Sequence, residues 1–396
     1  MNKKRIGLFL GVEPFGGGMF QHSMNVLDAV CALPDDEYEK VVIASSPHWK
    51  NHLKDRDITV TTAPFGIWKN KYFKRLSCVF PSFIWRKISK FVHPICATIH
   101  HAKLDACIFP AQDPQTYQVD TPAIGWVHDL MHRYEGHFPE VSANREYERR
   151  ENHFKKLCHY STIVVTDSVT GINHVTDSYG TDESKIMDLP YLPPAFLTTT
   201  PDVSLDEYNL PEKFFFYPAQ FWEHKNHLRL IKALKIVHAD HPRASLVLVG
   251  SKKAGYEAVK ELVKESGLED AVHFLGYVPD EVMPSLYKKA RALIMPTYFG
   301  PTNIPPLEAM ALGCPVAISG IYGMPTQLGE GALFFNQKDE KDIARRMEKL
   351  WTEDDLCENL RQKGFEIMAG KTVDKFNARF EEIVQACIDQ STPEKS

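Results

Sequence analysis

Short runs rich in Val, Ile and Phe alternate with segments of helical periodicity along nearly the whole chain. This alternation is typical of βαβ units, in which helices cover both faces of a parallel sheet. The runs fall into two groups separated by a proline-rich stretch, so they predict two sheets rather than one. The strands predicted for the first sheet are 5–11, 40–46, 58–63, 106–110, 123–129, 162–168 and 184–190, and those for the second are 214–218, 245–250, 271–276, 292–296, 315–319 and 332–335.

The stretch between the two groups suits an interdomain connector. It holds five prolines between residues 190 and 211 and shows no periodicity. We therefore predict a first Rossmann-like domain over residues 1–195 and a second over residues 196–372. Near the C terminus, apolar residues recur at helical spacing and predict a helix over 373–390 with one buried face, which by itself can close either domain. Its predicted buried positions are Phe376, Phe380, Ile383, Val384 and Cys387.

Composition excludes several classes of protein. The 46 Lys and Arg residues are outnumbered by 51 Asp and Glu residues, so the chain has no overall positive field and we expect no nucleic-acid partner. The eight cysteines show no CxxC or Cys/His spacing, which favours buried reduced thiols over a metal site. No stretch approaches the ~20 apolar residues that span a bilayer, and the apolar run at 6–10 is too short for a signal peptide. We therefore expect a cytoplasmic protein.

A glycine cluster follows the first predicted strand and precedes a helix. Backbone N–H groups of Gly16, Gly17 and Gly18 can bind a phosphate there, because the helix dipole and the donors converge and glycine permits close approach. The P-loop pattern fails, since glycines occupy the positions of its Lys and Ser/Thr. The dinucleotide pattern also fails, since Gln21 replaces its third glycine. A tight turn without a ligand and an NAD-dependent enzyme remain as alternatives.

In the second half, two further loops carry polar residues between a strand and a helix. The sequence FFFYPAQFWEHKN places Gln220 and Lys225 before a helix, where a lysine suits a diphosphate; a solvated charge is the alternative. The sequence TYFGPTNIPPLEAMALGCPVA enters a helix bearing Glu308. An acid at the carboxyl end of a parallel sheet is placed to accept hydrogen bonds from ribose hydroxyls.

The phosphate loop, HKN, FLGYVPDE and PPLEAMALGCPVA, in this order and spacing, resemble the retaining glycosyltransferases of family 4, also called group 1. The resemblance covers the second domain nearly end to end. In the first domain it rests on glycines 16–18, VHD at 127–129 and VTDS at 165–168. It implies an α/β fold of the GT-B type, with two Rossmann-like, doubly wound parallel-sheet domains facing each other across a cleft and helix 373–390 packing back on the first.

The resemblance also implies a site. The base would lie against residues 276–278, the ribose on Glu308, and the diphosphate near Lys225 and the backbone of the 302–304 loop. His128 would contact the transferred sugar, with a structural hydrogen bond as the alternative; a metal at His128 and His132 is disfavoured because no third ligand follows. The implied catalytic residues are His128, Lys225 and Glu308, and the implied donor-binding residues are Gly16, Gly17, Gly18, Gln220, Lys225, Tyr277, Val278, Thr302, Asn303, Ile304 and Glu308.

Two positions depart from the family pattern. Gly300 stands eight residues before Glu308, where the family has the first acid of a glutamate pair, and Gln220 replaces an arginine that often precedes the phosphate lysine. The first change weakens any mechanism that needs that acid, and the second leaves Lys225 as the main cation for phosphate.

The implied activity is a retaining hexosyltransferase that moves mannose from GDP-mannose, or another hexose from its nucleotide sugar, to a glycan or lipid-linked glycan. Such a reaction belongs to the synthesis of cell-surface polysaccharide or lipopolysaccharide, and it would need no metal and no cofactor besides the donor. The alternatives are a catalytically inactive protein that binds nucleotide sugars, which Gly300 makes conceivable, and an NAD-dependent Rossmann enzyme.

The region 67–91 points to a possible membrane partner. No acid occurs between Asp57 and Asp105, whereas eight basic residues do, interleaved with aromatic residues. This composition suits peripheral contact with an anionic membrane on its cytosolic face or a lipid pyrophosphate acceptor. The alternative is a helical stripe that packs on the sheet, formed by Ile84, Ile88, Phe91, Ile95 and Ile99. The sequence favours neither.

Overall fold

The computed structural model describes residues 3–13, 17–54, 56–63, 73 and 80–391. The chain divides into two compact units: the first comprises Met1–Leu130, Glu148–Tyr191 and Val373–Ser396, and the second Met131–Tyr147 and Leu192–Thr372. The predicted boundary placed residues 131–147 in the first domain, whereas in the structure they pack with the second unit. The predicted connector contains only short helical turns.

The thirteen predicted strands are present, with ends that differ by at most three residues from those expected. Most are short, apolar and buried, as in parallel sheets that are covered on both faces, whereas the strand Thr59–Thr62 at one edge of the first sheet is largely exposed. The strands are β1 (Lys4–Leu10), β2 (Tyr38–Ala44), β3 (Thr59–Thr62), β4 (Ala106–Phe109), β5 (Ala123–Trp126), β6 (Ile163–Thr166), β7 (Ile186–Asp188), β8 (Phe215–Pro218), β9 (Leu246–Val249), β10 (Val272–Gly276), β11 (Ala292–Met295), β12 (Val316–Ser319) and β13 (Ala332–Phe335).

Helices connect the strands, and several 3₁₀ turns lie between them. The α-helices of the described residues are α1 (Gly18–Ala32), α2 (Lys50–Leu53), α3 (Ser82–Val92), α4 (Pro94–His101), α5 (Met131–Tyr134), α6 (Pro139–Ser142), α7 (Glu146–Tyr160), α8 (Val169–Tyr179), α9 (Phe196–Thr199), α10 (His227–Asp240), α11 (Tyr256–Glu265), α12 (Met283–Lys289), α13 (Pro305–Ala311), α14 (Met324–Leu328), α15 (Glu340–Thr352), α16 (Asp354–Ala369) and α17 (Val373–Ser391).

Both sheets are parallel and doubly wound. The first has the order β3-β2-β1-β4-β5-β6-β7, and the second has the order β10-β9-β8-β11-β12-β13. The strand order therefore reverses between β1 and β4 in the first unit and between β8 and β11 in the second. In open α/β sheets, ligands bind outside the carboxyl ends of the strands at such reversals.

The C-terminal helix α17 belongs to the first unit. It packs against β4, β5, β6 and α1 through one apolar face, on which Phe376, Phe380, Ile383 and Cys387 are buried. Arg379 on its polar side donates to the backbone carbonyl and the carboxylate of Asp188 at the end of β7. The helix therefore completes the cover of a sheet whose strands all lie before residue 189, far earlier in the chain.

The stripe expected over residues 84–99 is not one helix face. His93 lies in an extended conformation before Pro94, because proline disfavours the helical conformation in the residue that precedes it. The chain therefore breaks into α3 and α4. Ile95 and Ile99 on α4 are buried, but Phe91 on α3 is exposed, so the packing interpretation is wrong for α3.

Candidate active site

The strand reversal in the second sheet brings together the two loops that carry most of the predicted site residues. The loop after β8 contains Gln220 and Lys225, and the loop after β11 runs through Gly300 to Glu308 in α13. Since β8 and β11 are parallel neighbours, both loops leave the sheet at the same edge. The structure thus places Lys225 and Glu308 in the two segments that flank the position where open α/β sheets bind ligands.

Lys225 lies in a turn whose backbone is fixed by hydrogen bonds to β8 and to the residues that follow β11 and β13. The turn is a 3₁₀ helix, Glu223–Lys225, and the following Asn226 adopts a left-handed conformation with φ of 62°. The Asn226 side-chain amide donates to the carbonyls of Pro296 and Gln337, both at 2.9 Å. The Tyr217 hydroxyl of β8 donates to the Lys225 carbonyl at 3.0 Å. The backbone of Lys225 is therefore fixed while its side chain is partly exposed.

Glu308 lies in the first turn of α13 and is partly exposed. The hydroxyl of the buried Tyr287 donates to its Oε2 at 2.6 Å. Burial raises the pKa of the Glu308 carboxyl to about 7 and the charge of Asp280 adds to this rise, whereas the bond from Tyr287 opposes it. The carboxyl group consequently changes its charge near neutral pH, which affects its strength as a hydrogen-bond acceptor.

The loop between β11 and α13 is stabilised by its own polar groups. The Asn303 side chain donates to the carbonyl of Phe299 at 3.1 Å. The Asn303 amide donates to Oε1 of Gln327 at 3.1 Å, and Gln327 Nε2 donates back to the Asn303 carbonyl at 2.9 Å. Thr302 is buried, and the Ile304 carbonyl accepts from the first turn of α13. The backbone of residues 302–304 was expected near the diphosphate. The N–H group of Asn303 already has a protein partner, Gln327 in α14.

Gly300 is required by the backbone of this loop. Its φ is 98°, a conformation that residues with a side chain rarely adopt, and an added Cβ would lie 2.7 Å from the carbonyl oxygen of Thr302 and 2.8 Å from Nδ2 of Asn303. In this loop conformation, position 300 therefore has no room for an acidic side chain.

We expect Gly300→Glu to destabilise the protein by about 1–3 kcal/mol without raising any activity, because backbone strain and the close contacts act together. The matched control is Gly267→Glu, which has a φ of 66° but open space around the position of its Cβ. The measurement is the Tm of each variant. Gly267→Glu reports the effect of backbone strain alone, and Gly300→Glu reports the effect of strain together with the close contacts. A Gly300→Glu protein that unfolds at or above the wild-type temperature would contradict this interpretation of the loop.

The remaining predicted donor-binding residues of the second unit lie in loops at the carboxyl ends of the strands of the same sheet. The Gln220 side chain accepts a hydrogen bond from Trp222 Nε1 at 2.9 Å. Gly250, with φ of 149°, lets the loop after β9 approach the backbone of Ala219 and Gln220. After β10, Tyr277 is 69% exposed whereas Val278 is buried. An exposed aromatic ring at this edge is available to stack on a base.

In the first unit, the glycine cluster lies where the strand order reverses. Gly16 is outside the described residues. Gly17 has φ of 59° and nothing within 4 Å of its Cβ position, and Gly18 begins α1. The positive φ of Gly17 is by itself a sufficient reason for a glycine at this position, without a ligand. Contact of the Gly17 and Gly18 amides with a donor therefore stays a prediction.

His128 follows β5, and both of its ring nitrogens already have partners. Nε2 lies 2.8 Å from the carbonyl oxygen of Pro110, and Nδ1 lies 2.7 Å from the hydroxyl of Tyr191. Because a carbonyl can only accept, Nε2 carries the proton and Nδ1 accepts from Tyr191. Burial lowers the pKa of His128, opposed by the bond to Pro110 and the charge of Asp129, so the ring is neutral at physiological pH. These bonds favour the structural interpretation that the sequence left open.

The two histidines of the HDLMH segment do not share a helix face. His128 belongs to the first unit, whereas His132 lies in α5, is buried and packs with the second unit. Within the described part of the chain, no three His, Cys, Asp or Glu side chains come close enough together to hold a metal ion.

The chain is similar to several known proteins. Residues 206–367 match the family model described as "Glycosyl transferases group 1". The O-antigen chain mannosyltransferase RfbU of Salmonella typhimurium is 26% identical over 338 residues, which cover 82% of this chain and 85% of the relative. The O-antigen chain mannosyltransferase B of Escherichia coli is 31% identical over 121 residues, covering 30% of this chain and 32% of that protein.

Among solved structures, HepE of Anabaena in complex with UDP and glucose superposes with a TM-score of 0.70 and 16% identity, covering 97% of this chain and 100% of that chain. This likeness concerns the fold. With the two parallel, doubly wound sheets, it confirms the predicted GT-B class with two Rossmann-like units.

Proposed function

We propose that the protein is a retaining hexosyltransferase of group 1, family 4, that transfers a sugar from a nucleotide diphosphate donor. One observation carries the proposal: Lys225 and Glu308 lie in the two loops that flank the strand reversal of the second sheet, within the region that matches the group 1 family model. An ammonium group suits the diphosphate and a carboxyl suits the ribose, so one nucleotide can engage both loops.

In the proposed reaction, the bond between the anomeric carbon and the diphosphate oxygen breaks, and its electron pair leaves with the diphosphate. Lys225 stabilises this developing negative charge. The acceptor hydroxyl attacks from the face that the diphosphate leaves, and its proton passes to the departing phosphate oxygen. This scheme requires no acid at position 300. His128 does not carry a proton in it, because both of its ring nitrogens are bonded to protein atoms.

We propose mannose as the sugar and a glycan or lipid-linked glycan of a cell-surface polysaccharide as the acceptor. The names of the two mannosyltransferase relatives support the sugar and the polysaccharide. The nucleotide is proposed as GDP, with UDP as the alternative because the HepE structure contains UDP. The proposal includes no metal and no cofactor besides the donor.

The test is a thermal unfolding screen with GDP-mannose, UDP-glucose, ADP-glucose and NADH, each with magnesium and with EDTA. A ligand at about 100 times its Kd adds roughly 2.7 kcal/mol to the unfolding free energy, so we expect a clear rise in Tm with one nucleotide sugar, unchanged by EDTA. Stabilisation by NADH alone would instead indicate a nicotinamide enzyme. Binding of a sugar donor without transfer to any glycan in a panel would indicate an inactive binding protein.

We also propose that α3 contacts an anionic membrane on its cytosolic face. No described helix is long and apolar enough to cross a bilayer. The outer face of α3 nevertheless exposes large apolar side chains, with Phe83 61% and Phe91 78% exposed. Lys87 is exposed on the same helix, whereas Lys90 is paired with Asp120 at 2.9 Å. Apolar anchors beside an exposed cation fit the interface of an anionic bilayer. Residues 67–72 and 74–79 of the predicted membrane-contact region lie outside the described residues.

We expect the protein to sediment at low salt with phosphatidylcholine vesicles that contain phosphatidylglycerol, and not with phosphatidylcholine alone. Phe91→Glu should lower the bound fraction by about tenfold, because it removes an exposed aromatic side chain that the bilayer would bury and adds a negative charge. Val169→Glu, at an exposed valine elsewhere in the first unit, is the control. Wild-type protein that stays in the supernatant with anionic vesicles would overturn the membrane proposal.

A further inference from the structure

Residues 131–147 form a segment that leaves the first sheet after β5 and packs with the second unit. Met131, Phe138 and Val141 of this segment share a small apolar core with Tyr298 and Phe299, which directly precede Gly300. The segment therefore packs against the loop that leads to α13.

A second set of contacts joins this segment to the turn that carries Lys225. Oε1 of Glu140 accepts hydrogen bonds from the backbone N–H groups of Glu223 and His224, the latter at 3.3 Å. Nδ1 of His224 lies 3.3 Å from the same oxygen, and the Glu140 side chain is only 10% exposed. Glu140 thus bonds the first two residues of the 3₁₀ turn whose last residue is Lys225.

An aromatic stack ties these two sets of contacts together. The His224 ring lies parallel to the Phe299 ring, with centroids 3.8 Å apart and an interplanar angle of 12°. Phe138 meets Phe299 edge to face at 5.5 Å. The Lys225 turn and the Gly300 loop are consequently held against each other by side chains that include two from this segment, Phe138 and Glu140.

The bonds to Glu140 suit its charge. The first N–H groups of a helical turn have no partner within the turn, and a carboxylate satisfies them better than a neutral acceptor. Burial acts to raise the pKa of the Glu140 carboxyl, but the contact with His224 and the backbone N–H bonds outweigh burial and keep that pKa below its usual value. Glu140 is therefore ionised at neutral pH.

We propose that Glu140 is a positioning residue that holds the Lys225 turn in the conformation that binds the donor diphosphate. This inference rests on the proposed function. Glu140 does not touch the reacting atoms; it acts through the backbone of residues 223 and 224. Small displacements of a positioned group can reduce rates by as much as about 10²-fold, so the loss of this anchor should be visible in donor binding.

The first test measures donor affinity by calorimetry and steady-state kinetics. We expect Glu140→Ala to raise the Kd for the nucleotide sugar by about tenfold and to lower kcat/KM by at least as much, since a displaced cation stabilises both the bound diphosphate and the charge that develops on it less well. Glu140→Gln keeps an oxygen acceptor and should recover part of the affinity. Glu148→Ala, which removes an exposed acid of α7, is the control and should bind donor as the wild type does.

The second test is a double-mutant cycle. If Glu140 acts through Lys225, the variant that combines Glu140→Ala with Lys225→Ala should bind the donor no more weakly than Lys225→Ala alone. Additive losses would show that Glu140 acts independently of Lys225 and would overturn the proposal.

The third test needs no ligand. Hydrogen exchange of the peptide backbone over 220–227 should be faster in Glu140→Ala than in the wild type, and unchanged in Glu148→Ala. Unchanged exchange in Glu140→Ala would overturn the role of Glu140 in the turn, whatever the protein binds. Faster exchange together with a wild type that binds no nucleotide sugar would instead overturn the proposed function, and with it the effect on donor affinity.

Discussion

Lys225→Ala should lower turnover by about 10²–10³-fold, the usual cost of removing one group that stabilises the charge of a transition state. The structure fixes the backbone of this residue: the Tyr217 hydroxyl donates to its carbonyl, and the side chain of the next residue, Asn226, is bonded to two carbonyls. Gln220, where a cation is common in the family, is neutral. The measurement is single-turnover transfer from the donor found in the thermal screen.

The control for this variant is Lys235→Ala, which removes the same charge from the exposed face of α10, the helix that follows the turn. Both variants should unfold near the wild-type temperature, since Lys225 is partly exposed and the bonds that fix the turn involve its backbone. Transfer by Lys225→Ala at the wild-type rate would remove this residue from the site.

Glu308→Ala should lower kcat/KM at least tenfold, because hydrogen bonds to a charged acceptor contribute about 1.5–3 kcal/mol. Glu308→Gln keeps an oxygen acceptor without the charge and should lose less. Glu261→Ala, at an exposed position on α11, is the control. Equal donor affinity in Glu308→Ala and the wild type would exclude this carboxyl from ribose binding.

Glu308 also predicts a dependence on pH. Since burial raises its pKa to about 7, the carboxylate forms as the pH passes from 6 to 8, and affinity for an intact nucleotide sugar should rise over that interval. Glu308→Gln should lack this rise. The effect on stability has the opposite sign: the folded protein holds a proton on Glu308 that the unfolded chain releases near its ordinary pKa, so the unfolding free energy falls as the pH rises from about 4.5 to 7.

The strands could be predicted from the sequence because each is a local signal. A strand buried on both faces is a continuous apolar run, and most of the thirteen strands show this pattern, whereas β3 at an edge of its sheet is largely exposed. The break between α3 and α4 also has a local cause, Pro94, but the apolar spacing across it suggested one continuous stripe. Here the steric effect of Pro94 on the preceding residue, His93, ends the helix although the apolar spacing continues.

The packing of residues 131–147 could not be predicted in this way. It depends on Phe138 meeting Phe299 and on Glu140 meeting the turn at residue 223, contacts that join residues more than eighty positions apart. Short-range patterns carry no information about such pairs. The same holds for the amide of Asn303 in the loop before α13, whose partner Gln327 lies in α14, and for the two partners of His128.

The chain passes between its two units after Leu130, Tyr147, Tyr191 and Thr372. A chimera made by joining two relatives at the proline-rich connector alone would therefore inherit α17 from the wrong parent and place it on a foreign sheet at β4, β5 and β6. A working chimera must take α17 from the same parent as the N-terminal half. It must also take residues 131–147 from the same parent as Tyr298 and Phe299, on which they pack. Each unit is built from more than one stretch of the chain, so a single cut in the sequence cannot separate the two.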